Sequence, residues 1–195
     1  MPIDTATIQK LRVMTGAGIM DAKKALTEVN GDIDAALEYL KKHGQKVAAQ
    51  KQDRVARDGV IGTYLHANKK LAALVLLACE TDFVAKTEDF QNLAHDIAMQ
   101  VAAMDPQYVR PEDIPAEVIE KEKDIFRAQL KQEGKPEKMW DAIIEGKLKK
   151  YYTEVCLLHQ AFVKDEDKTI NDLVTAVIAK LGENIQVKRF TRISL

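Results

Sequence analysis

The run from Leu71 to Cys79 (LAALVLLAC) constrains this chain more than any other stretch. It is far shorter than the roughly 18 apolar residues needed to cross a bilayer, so it belongs inside a folded core. The segment Val60-Ile61-Gly62-Thr63-Tyr64-Leu65-His66 just before it is β-prone, and Asn68 with its neighbours is a turn. The two segments predict a hairpin whose second strand is buried on both faces, or nearly so. A third strand is expected at Ile185–Ile193, where apolar and polar residues alternate and the register slips at Arg189-Phe190, as at a bulge.

Helical patterns surround these strands. Ile8, Leu11 and Met14 form a stripe that Thr15-Gly16-Ala17-Gly18 stops, and Ile19, Ala22, Lys23 and Leu26 carry a second helix to Asn30-Gly31. Asp32 is placed to cap a third helix with Ile33, Ala36, Leu37 and Leu40 on one face, which His43-Gly44 is expected to close. Residues 1–44 therefore read as a three-helix module with a very small core, and 45–58, basic and poor in large apolar residues, as an exposed linker. Beyond the hairpin, Thr87 can cap a helix that carries Phe90, Leu93, Ala94, Ile97 and Val101. Two mostly charged helices follow, from Ala116 to Gln132 and from near Glu137, separated by Gly134-Lys135-Pro136, with Gly146 a place where the second can bend or break. They predict a projecting helical hairpin over 116–150. Leu157–Lys164 reads as loop and Thr169–Leu181 as an amphipathic helix ended by Gly182. The fold class is α+β: three N-terminal helices, then a core over 59–195 in which helices pack on a small antiparallel sheet.

Several function classes lack their machinery. The net charge is −1 and the basic runs are interspersed with acids and lack aromatic platforms, which argues against a nucleic-acid-binding protein. No glycine-rich phosphate loop precedes a lysine, and no Cys/His cluster has metal spacing, so neither a cofactor nor a metal site is expected. Ser194 is the only serine, and Cys79 lies in an apolar strand, where an inert thiol is the expected state. An enzyme is thus the weaker reading. Two cysteines without a disulfide pattern, no leader and no spanning segment point to a cytoplasmic protein.

Two segments need a reason beyond packing. In Thr15-Gly16-Ala17-Gly18-Ile19-Met20-Asp21 the glycines turn the backbone tightly, and the adjacent Ile19 and Met20 cannot both face one small core. One of them is expected at the surface, where Met suits an adaptable docking face, although the loop could also serve only to seal the bundle. In Cys79-Glu80-Thr81-Asp82-Phe83-Val84-Ala85-Lys86 a Phe follows a buried strand and precedes a helix. It either projects or folds back into the core.

These two segments, with Leu11-Arg12, Gly134-Lys135-Pro136, Gln160-Ala161-Phe162-Val163, Gly182-Glu183-Asn184-Ile185 and Arg189-Phe190, resemble the elongation factor Ts family in its short bacterial form. The likeness follows the family's order over almost the whole chain. Ile19-Met20-Asp21 stands where the family often has Met-Met-Asp, and Gln160-Ala161-Phe162-Val163 where it often has Gln-Pro-Phe-Val. The resemblance implies a ubiquitin-associated-like N-terminal module and a mixed core. It also implies a guanine-nucleotide exchange factor whose partner is elongation factor Tu, GDP-bound or nucleotide-free. The short form implies a homodimer. Thr81, Asp82, Phe83 and Val84 would act on the partner's Mg²⁺ and phosphate site. Leu11, Ala17, Gly18, Ile19 and Met20 would grip a second helix of the partner, and His66 is a further candidate contact. A ubiquitin-type adaptor built on the N-terminal module alone is a rival that the large core and the Phe83 junction disfavour.

Overall fold

The computed structural model describes residues 3–195. Three helices open the chain: α1 (Thr5–Thr15), α2 (Ile19–Glu28) and α3 (Ile33–Lys51). Gly16 ends α1 in the left-handed region (φ 69°), and its N–H returns to the carbonyl of Arg12. Asp32 caps α3 by accepting the Ala35 N–H at 2.9 Å. Leu11, Ala22, Ala25, Leu26 and Ala36 form the buried centre of this module, with Ile8, Val29, Ile33, Leu37 and Leu40 packed around it. Three alanines in a five-residue centre let the helices approach closely but bury little apolar area.

Two expectations for these helices are corrected. Met14, placed on the inner stripe by its spacing, is half exposed, while Leu11 and Ile8 supply this helix's side of the small core. The third helix does not close at His43-Gly44 but runs unbroken to Lys51. A Cβ built on Gly44 would lie 3.6 Å from Ala179 Cβ and 3.6 Å from Thr175 Cγ2, so Gly44 sits inside a packed helix contact and not at a helix end.

β1 (Asp58–Leu65) and β2 (Leu71–Cys79) form the expected hairpin, closed where the His66 N–H donates to the Leu71 carbonyl at 2.9 Å. β5 (Gln186–Ser194) lies on the other side of β2, giving the order β1-β2-β5. The Leu195 N–H meets the Lys70 carbonyl at 3.0 Å, so the end of β5 lies at the start of β2 and the sheet is antiparallel. Lys188 and Arg189 are both exposed, which is where the in–out alternation slips. Between β2 and β5 come α4 (Asp82–Ala85), α5 (Glu88–Met104), α6 (Ala116–Gln132), α7 (Trp140–Val155), the strands β3 (Ala161–Phe162) and β4 (Asp165–Thr169), and α8 (Ile170–Leu181). Thr87 caps α5 by accepting the Phe90 N–H at 3.3 Å.

The contacts divide the chain into two compact units. The first takes the described residues up to Gly62 with 76–95 and 172–187; the second takes 63–75, 96–171 and 188–195. In the first, β1 approaches α5 so closely that a Cβ on Gly62 would fall 2.3 Å from the Ala94 carbonyl oxygen. In the second, α6 and α7 make the predicted helical hairpin around Leu130, Ile144 and Leu148. Gly146 neither breaks nor ends α7, because the helix is continuous there and nothing crowds the position. Leu157–Lys164 is not all loop. A 3-10 turn over Leu157–His159 leads into β3, which pairs antiparallel with β4. Gln100 and Gln160, both buried, hold this corner: Gln100 Nε2 donates to Gln160 Oε1 at 3.2 Å and its Oε1 accepts the Val163 N–H at 2.9 Å. Buried amides are tolerated because each is hydrogen-bonded.

Candidate partner-docking site

The site is built on the short helix α4, whose backbone is fixed from both ends. At its start Thr81 is extended, and its hydroxyl oxygen accepts the Val84 N–H at 3.5 Å. At its end the Thr87 hydroxyl donates to the Val84 carbonyl at 2.8 Å. A single turn points consecutive side chains about 100° apart, so one residue can be anchored while its neighbour is shed. Val84 and Ala85 enter the core, and Phe83 is left 80% exposed. The Phe83 ring thus projects. An aromatic ring held in water keeps its burial energy unspent, which makes Phe83 a candidate contact for a partner surface.

Asp82 and Lys86 flank the ring. Lys86 Nζ donates to Asp82 Oδ2 at 2.6 Å across one helical turn. That hydrogen bond holds the Asp82 carboxyl below its ordinary value and raises the Lys86 ammonium. Cys79, at the end of β2, is buried and donates to the Thr81 carbonyl at 3.1 Å; burial pushes its thiol up to about 11. It is a packing residue and not a nucleophile.

Beneath the turn lies a partner that sequence reasoning did not single out for any role. The Glu183 carboxylate accepts the Glu80 and Thr81 N–H groups, both at 3.0 Å, and the Thr81 hydroxyl at 2.7 Å. Glu183 stood only within a family motif, and more than a hundred residues separate it from Thr81. No local pattern joins them.

The second candidate surface lies in the same compact unit. Ile19 and Met20 are 57% and 74% exposed, so both residues of the pair face solvent, not one. Val13 (77%) and Met14 (50%) at the end of α1 add to the exposed apolar residues of this module. Sequence spacing missed Val13, which no stripe claimed. Gly18 is the N-cap of α2 and Ala17 is half-buried. The connecting loop is held by Thr15, whose hydroxyl donates to the Leu11 carbonyl at 2.7 Å and accepts the Ala17 N–H at 3.2 Å. Leu11 itself is wholly buried, so it supports this surface from inside and has no atom to offer a partner.

His66 belongs to the second unit. It is exposed at the hairpin turn, with Nδ1 3.2 Å from the Tyr64 hydroxyl. Among the described residues no group of three or more His, Cys, Asp or Glu side chains is arranged to hold a metal ion, and no helix is long and apolar enough to cross a membrane.

Residues 8–177 match the family model described as Elongation factor TS. Curated relatives carry the same designation. The chain is 52% identical over 195 residues to Elongation factor Ts of Syntrophus aciditrophicus, covering 100% of this chain and 97% of that protein. It is 54% identical over 190 residues to that of Moorella thermoacetica (97% and 94% covered) and 53% identical over 193 residues to that of Thermosipho melanesiensis (99% and 98% covered).

Proposed function

Because this chain belongs to the elongation factor Ts family, we propose that it is the nucleotide exchange factor for elongation factor Tu in translation elongation. It takes hold of the GDP-bound partner, speeds GDP release and stays on the nucleotide-free form until new nucleotide displaces it. The observation that carries this reading is the exposed Phe83 on a turn whose Val84 and Ala85 are buried in the core.

The work is done by binding and not by covalent chemistry. Phe83 enters a crevice between helices of the partner's nucleotide domain. Burying one Phe side chain yields about 1.5–3 kcal/mol, available to shift a helix that positions the partner's Mg²⁺ and phosphate loop. Mg²⁺ demands near-ideal octahedral geometry, so a small displacement weakens its hold and that of GDP. Linkage makes the effect mutual: the factor weakens GDP as much as GDP weakens the factor. Asp82 supplies a polar edge beside the ring, and Thr81 and Val84 keep the turn in place. Gly18, Ile19 and Met20, with Ala17, hold a second helix of the partner while Leu11 supports them, and His66 adds a peripheral contact. The functional division follows: a docking module over 1–44, a connection over 45–58 and an exchange core over 59–195 with the 116–150 hairpin.

The same reading has the factor work in the cytoplasm, as a homodimer. The exposed Leu65, Leu74 and Ile193, one on each strand of the sheet within the second unit, offer an apolar strand surface for a second copy. Sedimentation of the chain alone and with the partner measures this directly.

Stopped-flow release of a fluorescent GDP from elongation factor Tu tests the central step. The chain accelerates release and Phe83→Ala loses most of that acceleration. An undiminished rate with saturating Phe83→Ala would overturn the wedge.

A further inference from the structure

We infer that Glu183 is a positioning residue for Phe83, acting through Thr81, and that the turn it occupies ties the Phe83 turn to the end of α3. The inference rests on the exchange reading above and names a residue that reading does not use.

Phe83 cannot fix its own direction. Its ring is exposed, and α4 has four residues, too few to form a helix unaided. The ring therefore points wherever the backbone from Glu80 to Ala85 points it. Glu183 fixes the start of that segment. Its Oε2 gathers the N–H groups of Glu80 and Thr81, and its Oε1 takes the proton of the Thr81 hydroxyl. The last bond has a directional consequence. With its proton committed to Glu183, the Thr81 hydroxyl must present a lone pair elsewhere, and that lone pair meets the Val84 N–H at the start of α4. A charge-assisted bond on one side of the hydroxyl thus orients the cap on the other.

The turn carrying Glu183 is itself gripped from two directions. Gly182 leaves α8 in the left-handed region (φ 77°). The Glu80 carboxylate accepts the Asn184 N–H at 2.7 Å, so Glu80 and Glu183 bind each other's segments reciprocally. Asn184 is buried, and its Nδ2 donates to the Arg54 carbonyl at 2.6 Å and the Gln52 carbonyl at 3.2 Å. Lys51, the last residue of α3, donates to the Gly182 carbonyl. Residues 182–184 therefore bond at once to the end of the helix that leads out of the docking module and to the turn that aims Phe83.

A residue that aims the wedge affects the step the wedge performs more than the encounter that precedes it. Glu183→Ala lowers the maximal rate of GDP release by about tenfold, while the factor concentration giving half the maximal rate moves less. Coupled residues are non-additive, so in the Phe83→Ala background Glu183→Ala costs nothing further. Glu183→Gln retains one acceptor oxygen and falls between wild type and Glu183→Ala. If Glu183→Ala fails to fold, as judged by its thermal transition, Glu183→Gln and Thr81→Val carry the same cycle against Phe83→Ala. A maximal rate unchanged by these substitutions, or losses that multiply with that of Phe83→Ala, would overturn the inference. The Phe83→Ala control separates the two levels: if it releases GDP as fast as wild type, the exchange reading fails; if it slows release while the Glu183 variants do not, only the role of Glu183 fails.

Discussion

Phe83 and Val84 are adjacent in the chain, yet one turn of helix leaves the first 80% exposed and the second 9% exposed. The pair separates what this segment does from what holds it. Val84→Ala removes two methyl groups from a packed site and lowers unfolding free energy by about 1–3 kcal/mol. Phe83→Ala leaves the thermal transition within about 0.5 kcal/mol of wild type, as exposed positions do. Chemical denaturation of both variants reads the contrast, and equal losses would mean that the ring is packed.

The exposed apolar residues of the N-terminal module should matter for holding and not for wedging. Met20→Ala and Ile19→Ala raise the concentration of factor needed for half-maximal exchange several-fold and leave the maximal rate near that of wild type. Val13→Ala behaves alike if the end of α1 shares the docking face. Leu11→Ala also weakens binding but does so by loosening the module, at roughly 2–5 kcal/mol of local stability. Calorimetric titration against elongation factor Tu, paired with melting curves, distinguishes the two causes.

Two glycines predict opposite signs. At Gly44 an added Cβ meets only ordinary contacts at 3.6 Å, so Gly44→Ala removes the helix penalty of glycine and stabilises by roughly 0.5–1 kcal/mol. At Gly62 the added Cβ would stand 2.3 Å from the Ala94 carbonyl oxygen, so Gly62→Ala forces β1 away from α5 and destabilises by about 1–3 kcal/mol. Melting temperatures moving in opposite directions are the expected result.

Cys79 and Cys156 are both buried, and burial pushes each thiol from 9.0 up to about 11. A folded-state value above the unfolded one favours the protonated thiol in the fold. The contribution is therefore complete below the ordinary value and is lost as pH rises from there towards about 11. Both thiols should resist a disulfide reagent at neutral pH in the native protein and react at once when it is denatured.

Periodicity made much of the fold legible. β2 and α6 occupy the residues that their apolar patterns indicate, and Asp32 and Thr87 cap the helices they precede. Local signals failed where distant contacts decide. Gly44 reads as a helix end, yet packing against Thr175 and Ala179 keeps it helical. The segment Asp165–Thr169 is too polar to read as a strand and becomes one by pairing with β3. Gln100, Gln160 and Asn184 are buried because each finds a partner that no window of sequence contains. At the site, spacing alone left Phe83 undecided between core and surface and allowed one exposed residue at Ile19-Met20; the structure exposes Phe83 and both members of the pair. Glu183 was invisible as a site residue because its meaning depends on Thr81.

The unbroken α3 changes how a partner would experience this protein. A loose tether would let two grips search separately, and binding would proceed in two resolvable phases. A helix that leads from the docking module to Lys51 and is bonded there to Gly182 leaves little freedom between them. On the exchange reading proposed above, a load taken up at one end would be carried to the other, and binding is expected to appear as a single kinetic phase.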